Sequence, residues 1–215
     1  MVNVLLNSFR FAEPWCRKEI GRYLRADMRV LVFPFAFRPG QIPDAREWEK
    51  RYNRENGIFS MGLAEVFRQY GIPISKIEWV NYFTPGADLP RKIAESDVIY
   101  FCGGEPELLY DRLSELGLLA PLKQFEGIVM GDSAGAVVQF DRYHDQPGLG
   151  YLRDFDLEVH YTGEAAQNAE IRQLLTAHGR PVFALGPRAA LIAADDGVYP
   201  LGDVMCMLPA SDKNQ

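Results

Sequence analysis

The sequence predicts an α/β fold, a doubly wound and mostly parallel sheet with helices on both faces. Two observations carry that expectation. Short apolar, β-branched or aromatic runs bounded by Pro, Gly or Asp recur along the chain, and amphipathic segments separate them. The runs are continuous rather than alternating, as in Val98-Ile-Tyr-Phe-Cys102, which suits strands buried on both faces of a parallel sheet. Strand-helix alternation then implies crossovers within one sheet.

Taken in order, strands are expected at residues 2–6, 29–35, 76–80, 98–102 and 127–131, with helices at 14–24, 47–70, 89–95 and 106–116. A short helix follows at 134–140, and then the turn-rich Asp145-Gln-Pro-Gly-Leu-Gly150. Further strands are expected at 155–161, 182–185, 190–194 and 204–208, with one helix at 164–178. Asp195-Asp196-Gly197 reads as a hairpin turn. In sheets of this kind the ligand crevice lies beyond the carboxyl ends of the strands, which places the loops Gly103-Gly104-Glu105-Pro106 and Asp132-Ser133-Ala134-Gly135 in the site.

A length of 215 residues suits one domain, 1–215, and 47% hydrophobic with 24% charged residues is ordinary globular composition. The net charge of −6, with basic residues scattered among acidic ones, excludes the electrostatic footprint of a nucleic-acid binder. Cys16, Cys102 and Cys206 lie far apart, which fits a reducing compartment and argues against zinc, so no metal and no cofactor is expected. The amino terminus has no secretory-signal pattern, and no run approaches the ~20 apolar residues that cross a bilayer, so a cytoplasmic protein without membrane partners is expected.

The chemistry centres on Gly131-Asp132-Ser133-Ala134-Gly135. A serine hydroxyl needs a base within hydrogen-bond reach and donors for an oxyanion. Flanking glycines permit a sharp strand-to-helix turn that lifts the serine clear of the sheet, and the apolar run at 127–130 and the helix opening at 134 supply that setting. Three histidines are candidate bases. His160, at the end of a strand, is the best placed; His178 has the setting of a helix C-terminus, where an imidazole meets free carbonyls, and His144 lies in a polar loop. The Gly103-Gly104 turn allows close backbone approach, so N–H groups around Gly104 and at Ala134 are the candidate oxyanion donors. The plain alternative for that turn is a strand-to-helix connection with Pro106 at the first helical position.

Three segments together resemble the dipeptidase E (aspartyl dipeptidase) and cyanophycinase group of serine peptidases: residues 98–109, residues 127–136 and Gly148-Leu-Gly through His160-Tyr161. The resemblance implies a class I glutamine amidotransferase-like, flavodoxin-like fold. It also implies Ser133 as nucleophile, His160 as general base and N–H groups around Gly104 and Ala134 as oxyanion donors. The implied reaction is hydrolysis of a short peptide or an aspartyl amide bond without metal or cofactor. The small peptide is the expected partner, and a homodimer is compatible with it. Aspartyl dipeptidases resemble one another in a late acidic residue that orients the histidine, and here the matching stretch reads Leu185-Gly-Pro-Arg-Ala-Ala-Leu191. The cyanophycinase plan puts the acid between serine and histidine, where Asp141, Asp145, Asp154, Asp156 and Glu158 lie; freer loop geometry favours Asp141 or Asp145.

Two other classes compete. A noncatalytic or regulatory relative would bind a small peptide or metabolite in the same crevice. An α/β-hydrolase esterase needs a late histidine and a His-Gly-Gly oxyanion loop, and only His178 is late here. Arg38, Arg142, Arg153 and Arg188 are available to clamp a substrate carboxylate, with no pattern that selects one.

Overall fold

The computed structural model describes residues 1–144 and 146–210. In chain order the elements are β1 (Val2–Leu6), α1 (Arg17–Ile20), β2 (Val30–Phe33), α2 (Ala45–Tyr52), α3 (Ile58–Arg68), β3 (Ile77–Trp79), α4 (Leu89–Glu95), β4 (Val98–Phe101), α5 (Pro106–Glu115) and α6 (Leu119–Lys123). There follow β5 (Ile128–Asp132), α7 (Ala134–Val137), β6 (Arg142–Tyr143), β7 (Gln146–Pro147), β8 (Asp156–Glu158), α8 (Ala165–His178), β9 (Val182–Ala194) and β10 (Gly197–Met207). One mixed sheet runs in the order β10-β9-β1-β5-β4-β2-β3, with β8 also paired to β9. Five successive strands, β1, β5, β4, β2 and the edge strand β3, are mutually parallel, whereas β9 is antiparallel to β1 and β10 to β9.

The continuous apolar strands fill both faces, because side chains alternate along a strand. Val30, Val32, Val98 and Tyr100 pack on one face with Phe11, Ile20 and Phe67. Leu31, Phe33, Ile99 and Phe101 pack on the other with Ile93, Leu109, Leu113 and Leu122 from α4, α5 and α6. This is the doubly wound, mostly parallel α/β arrangement that the sequence pattern predicts. Among the described residues no helix is long and apolar enough to cross a membrane.

Several elements depart from the sequence expectation. The single helix expected at 47–70 is two, α2 and α3. Asn53 breaks it: its Oδ1 accepts the N–H groups of Glu55 and Asn56, at 2.9 Å each, so the side chain replaces the helical carbonyl. The expected helix at 14–24 contracts to the single turn Arg17–Ile20. The separate strands expected at 182–185 and 190–194 are one strand, β9, and the strand expected at 204–208 is the end of a longer β10. Gly186 and Pro187 interrupt the pairing without ending it, because β10 shifts register between Gly202 and Val204 opposite them.

Candidate active site

The carboxyl ends of the parallel strands converge on one cleft of about 450 Å³. Asn7 and Ser8 reach it from β1, Pro34 and Ala36 from β2, Cys102, Gly103 and Gly104 from β4, and Asp132 and Ser133 from β5; His160 stands at its edge. The crevice rule therefore holds, and both loops singled out in the sequence open into it.

Ser133 joins β5 to α7 with φ 51° and ψ −113°, a strained conformation for a residue with a Cβ, worth about 1–3 kcal/mol. The surrounding packing enforces it. Ser133 N–H donates to the Leu6 carbonyl at 2.9 Å, which fastens the turn to β1. A methyl group added to Gly131 would overlap the Gly135 carbonyl, and one on Gly135 would overlap the Phe101 carbonyl. The spacing of the two glycines is thus a packing requirement. Buried Gln139 holds α7 in place, donating to the Gly135 carbonyl at 2.9 Å and accepting from Asn3 Nδ2 at 2.9 Å.

The structure brings Ser133 and His160 together: Oγ lies 2.7 Å from Nε2. His160 itself lies beyond β8, which ends at Glu158, and has φ 55°, so the expectation of a strand through Tyr161 is corrected. Its N–H donates to Asn7 Oδ1 at 2.7 Å, and its carbonyl accepts from Gln167 Nε2 at 3.0 Å. Asn7 was not among the sequence candidates, although its place just after β1 is where the crevice rule looks.

Gly104 has φ 141°, and its backbone presses on Ala36 so closely that a methyl group would overlap the Ala36 carbonyl oxygen. Among the described residues the N–H groups of Gly104 and Ala134 donate no hydrogen bond, so both are available to a ligand. Asp132 is held by the Tyr100 hydroxyl at 2.7 Å and by the Gly103 N–H. Burial pushes its carboxyl up to about 6, against the pull of those two donors.

Among the described residues no candidate acid hydrogen-bonds to His160. Exposed Asp141 has its carboxylate 3.7 Å from Arg180 Nη2, and Asp145 lies outside the described residues. Buried Asp156 accepts from Arg180 Nη2 at 2.6 Å and lies 2.8 Å from His178 Nδ1. His178 therefore serves this pair rather than the free carbonyls of α8, whose end Gly179 closes at φ 64°. His144 packs its ring 4.3 Å from Tyr143 and, with Glu158 and Glu170, offers ligand atoms all within 4.8 Å of one another. That trio has the spacing to hold a metal. Glu158 is buried with Oε2 unpartnered, and burial, with Glu170 adding to it, pushes its carboxyl up to about 7. Of the arginines considered from sequence, Arg38 pairs with Glu105, Arg188 with Asp203 and Arg153 with the Gly150 carbonyl, and none of the four lines the cleft. Arg51 does line it.

The model of peptidase family S51 matches residues 42–199, and the chain belongs to that family. The fold is shared with a peptidase from an acI-B1 Actinobacterium, at 15% identity and a TM-score of 0.70, over 100% of this chain and 92% of the other. It is shared as well with a Listeria monocytogenes EGD-e protein provisionally assigned as peptidase E, at 15% identity and a TM-score of 0.61, over 97% and 98% of the two chains. Among curated proteins none matches the sequence.

Proposed function

We propose that this chain is a serine-type peptidase that hydrolyses short peptides, with Ser133 as nucleophile and His160 as general base. The observation that carries the reading is the 2.7 Å approach of Ser133 Oγ to His160 Nε2 across a strained strand-to-helix turn of the nucleophile-elbow kind. In the proposed reaction His160 Nε2 takes the hydroxyl proton as Oγ attacks the peptide carbonyl carbon. The carbonyl oxygen becomes an oxyanion, which the N–H groups of Gly104 and Ala134 receive. Collapse breaks the C–N bond, and the imidazolium passes its proton to the leaving amine. Water then enters, His160 takes one of its protons, and attack on the acyl carbon releases the carboxylic acid while Ser133 regains its proton.

A noncatalytic relative that binds a peptide or metabolite in the same cleft is the second reading. One observation favours it: among the described residues no carboxylate hydrogen-bonds to His160 Nδ1. Loss of such an orienting acid slows a triad by about 10⁴-fold and leaves the oxyanion donors acting. The free cysteines 16, 102 and 206 fit a reducing compartment such as the cytoplasm.

The test is release of free amino acid from a panel of dipeptides by wild type, Ser133→Ala and His160→Gln. The peptidase reading expects turnover that falls at least ~10³-fold in Ser133→Ala. Equal turnover by wild type and Ser133→Ala would remove Ser133 from the mechanism, and no turnover by a folded wild type would favour the binding reading.

A further inference from the structure

We infer that the cleft beside Ser133 selects a substrate whose acyl residue carries an apolar or aromatic side chain, not an acidic one. The inference rests on the proposed role of Ser133, but its argument is the wall of the cleft. Away from Ser133 the cleft runs between the strand ends and α2–α3, and its depth is built from Phe37, Ile42, Leu63 and Trp79, each at most 8% exposed. Its mouth carries Phe9, Ile58 and Phe59, which are 46%, 75% and 50% exposed. Large apolar side chains left open around a concavity mark a surface that an apolar ligand completes.

The charges point the same way. Among the described residues the cleft is lined by one permanent cation, Arg51, and one carboxyl, Asp132. Arg51 Nε already donates to Glu47 Oε1 at 3.2 Å, and its guanidinium carbon lies 5.9 Å from the Phe59 ring centre. Asp132 is adjacent to Ser133 in the chain. An entering aspartyl side chain would lose its water among aromatic rings, approach a second carboxyl, and meet, among the described residues, a single cation whose Nε already serves Glu47. An entering phenylalanyl or leucyl side chain loses little and removes apolar surface from water, both its own and that of the three mouth residues. Differences of this kind are worth about 10- to 100-fold in selectivity.

The test compares Phe-Ala, Leu-Ala and Asp-Ala in two assays: kcat/KM with wild type, and calorimetric affinity with Ser133→Ala, which needs no turnover. The inference expects Phe-Ala or Leu-Ala to exceed Asp-Ala by at least ~10-fold in both. Phe59→Ser, at a half-exposed position that leaves the core filled, is expected to lower the Phe-Ala values several-fold and the Asp-Ala values by less. Preference for Asp-Ala, equal response of both peptides to Phe59→Ser, or no binding of any of the three would overturn it. Selective binding of Phe-Ala by Ser133→Ala with no wild-type turnover would sink the peptidase reading and leave the inference about the occupant standing.

Discussion

Gly104→Ala couples the packing of the fold to the proposed oxyanion donor in a single methyl group. The added Cβ would overlap the Ala36 carbonyl oxygen and sit 2.9 Å from the Ala36 Cβ, at a backbone φ of 141°. That backbone region is almost exclusive to glycine and costs about 1–3 kcal/mol for alanine. Overpacking against Ala36 adds about 1–3 kcal/mol. If the turn stays in place, the expected destabilisation is about 2–6 kcal/mol, or roughly 5–15 °C in melting temperature for a chain of this size. If the turn moves to escape the clash, the Gly104 N–H leaves its position, and the loss appears as about 10²- to 10³-fold in kcat. Gly117→Ala is the control: φ there is 67° with nothing within 4 Å of the new methyl, so only about 1–2 kcal/mol of backbone cost is expected. Thermal unfolding and turnover of both variants decide the matter. A Gly104→Ala protein that melts with Gly117→Ala and turns over with wild type would refute the packing argument and the proposed donor together.

Two further predictions concern stability. The Glu158 carboxyl keeps its proton up to about pH 7 in the folded chain, against 4.5 for a free side chain. The folded state therefore binds the extra proton between those values, so stability is full below pH 4.5 and falls as pH rises towards 7. Glu158→Gln removes that slope; its urea midpoint should gain on wild type between pH 5 and pH 8, and parallel midpoints would contradict the argument. Asp156→Ala leaves Arg180, 18% exposed, without its 2.6 Å partner and His178 without its 2.8 Å partner. Exposed Asp141, 3.7 Å away, is then the remaining carboxylate beside Arg180, so a loss of about 1–3 kcal/mol is expected, and a change under ~0.5 kcal/mol in the urea midpoint analysis would show the pair to be dispensable.

Much of the frame was legible because burial leaves a direct imprint on sequence. The strands β2 and β4 are continuous apolar runs and β1 and β5 nearly so, and the order of strand and helix determines which loops share an edge of the sheet. The glycine pair around Ser133 was legible for the same reason, since each glycine is a place where backbone meets backbone. The division of α2 from α3 was not, because it depends on which atoms the Asn53 side chain captures, and an asparagine in a polar stretch has several alternatives. Nor was the β9–β10 ribbon, where Gly186-Pro187 reads as a stop and a register shift in the partner strand absorbs it. At the site, His160 was legible because the chain has only three histidines, whereas its backbone anchor Asn7 is 153 residues away and carries no local pattern. Arg51 and the aromatic wall were hidden in the same way, since α2 and α3 read as an ordinary amphipathic stretch until the fold turns that face towards Ser133.

The central claim is that Ser133 is activated by His160, and the most direct measurement is labelling by a fluorophosphonate, with the adduct located by peptide mass spectrometry. The account predicts a single adduct on Ser133, none in Ser133→Ala, and labelling at least ~10²-fold slower in a folded His160→Gln variant. Labelling at equal rates in wild type and His160→Gln, or none in a folded wild-type sample, would contradict it.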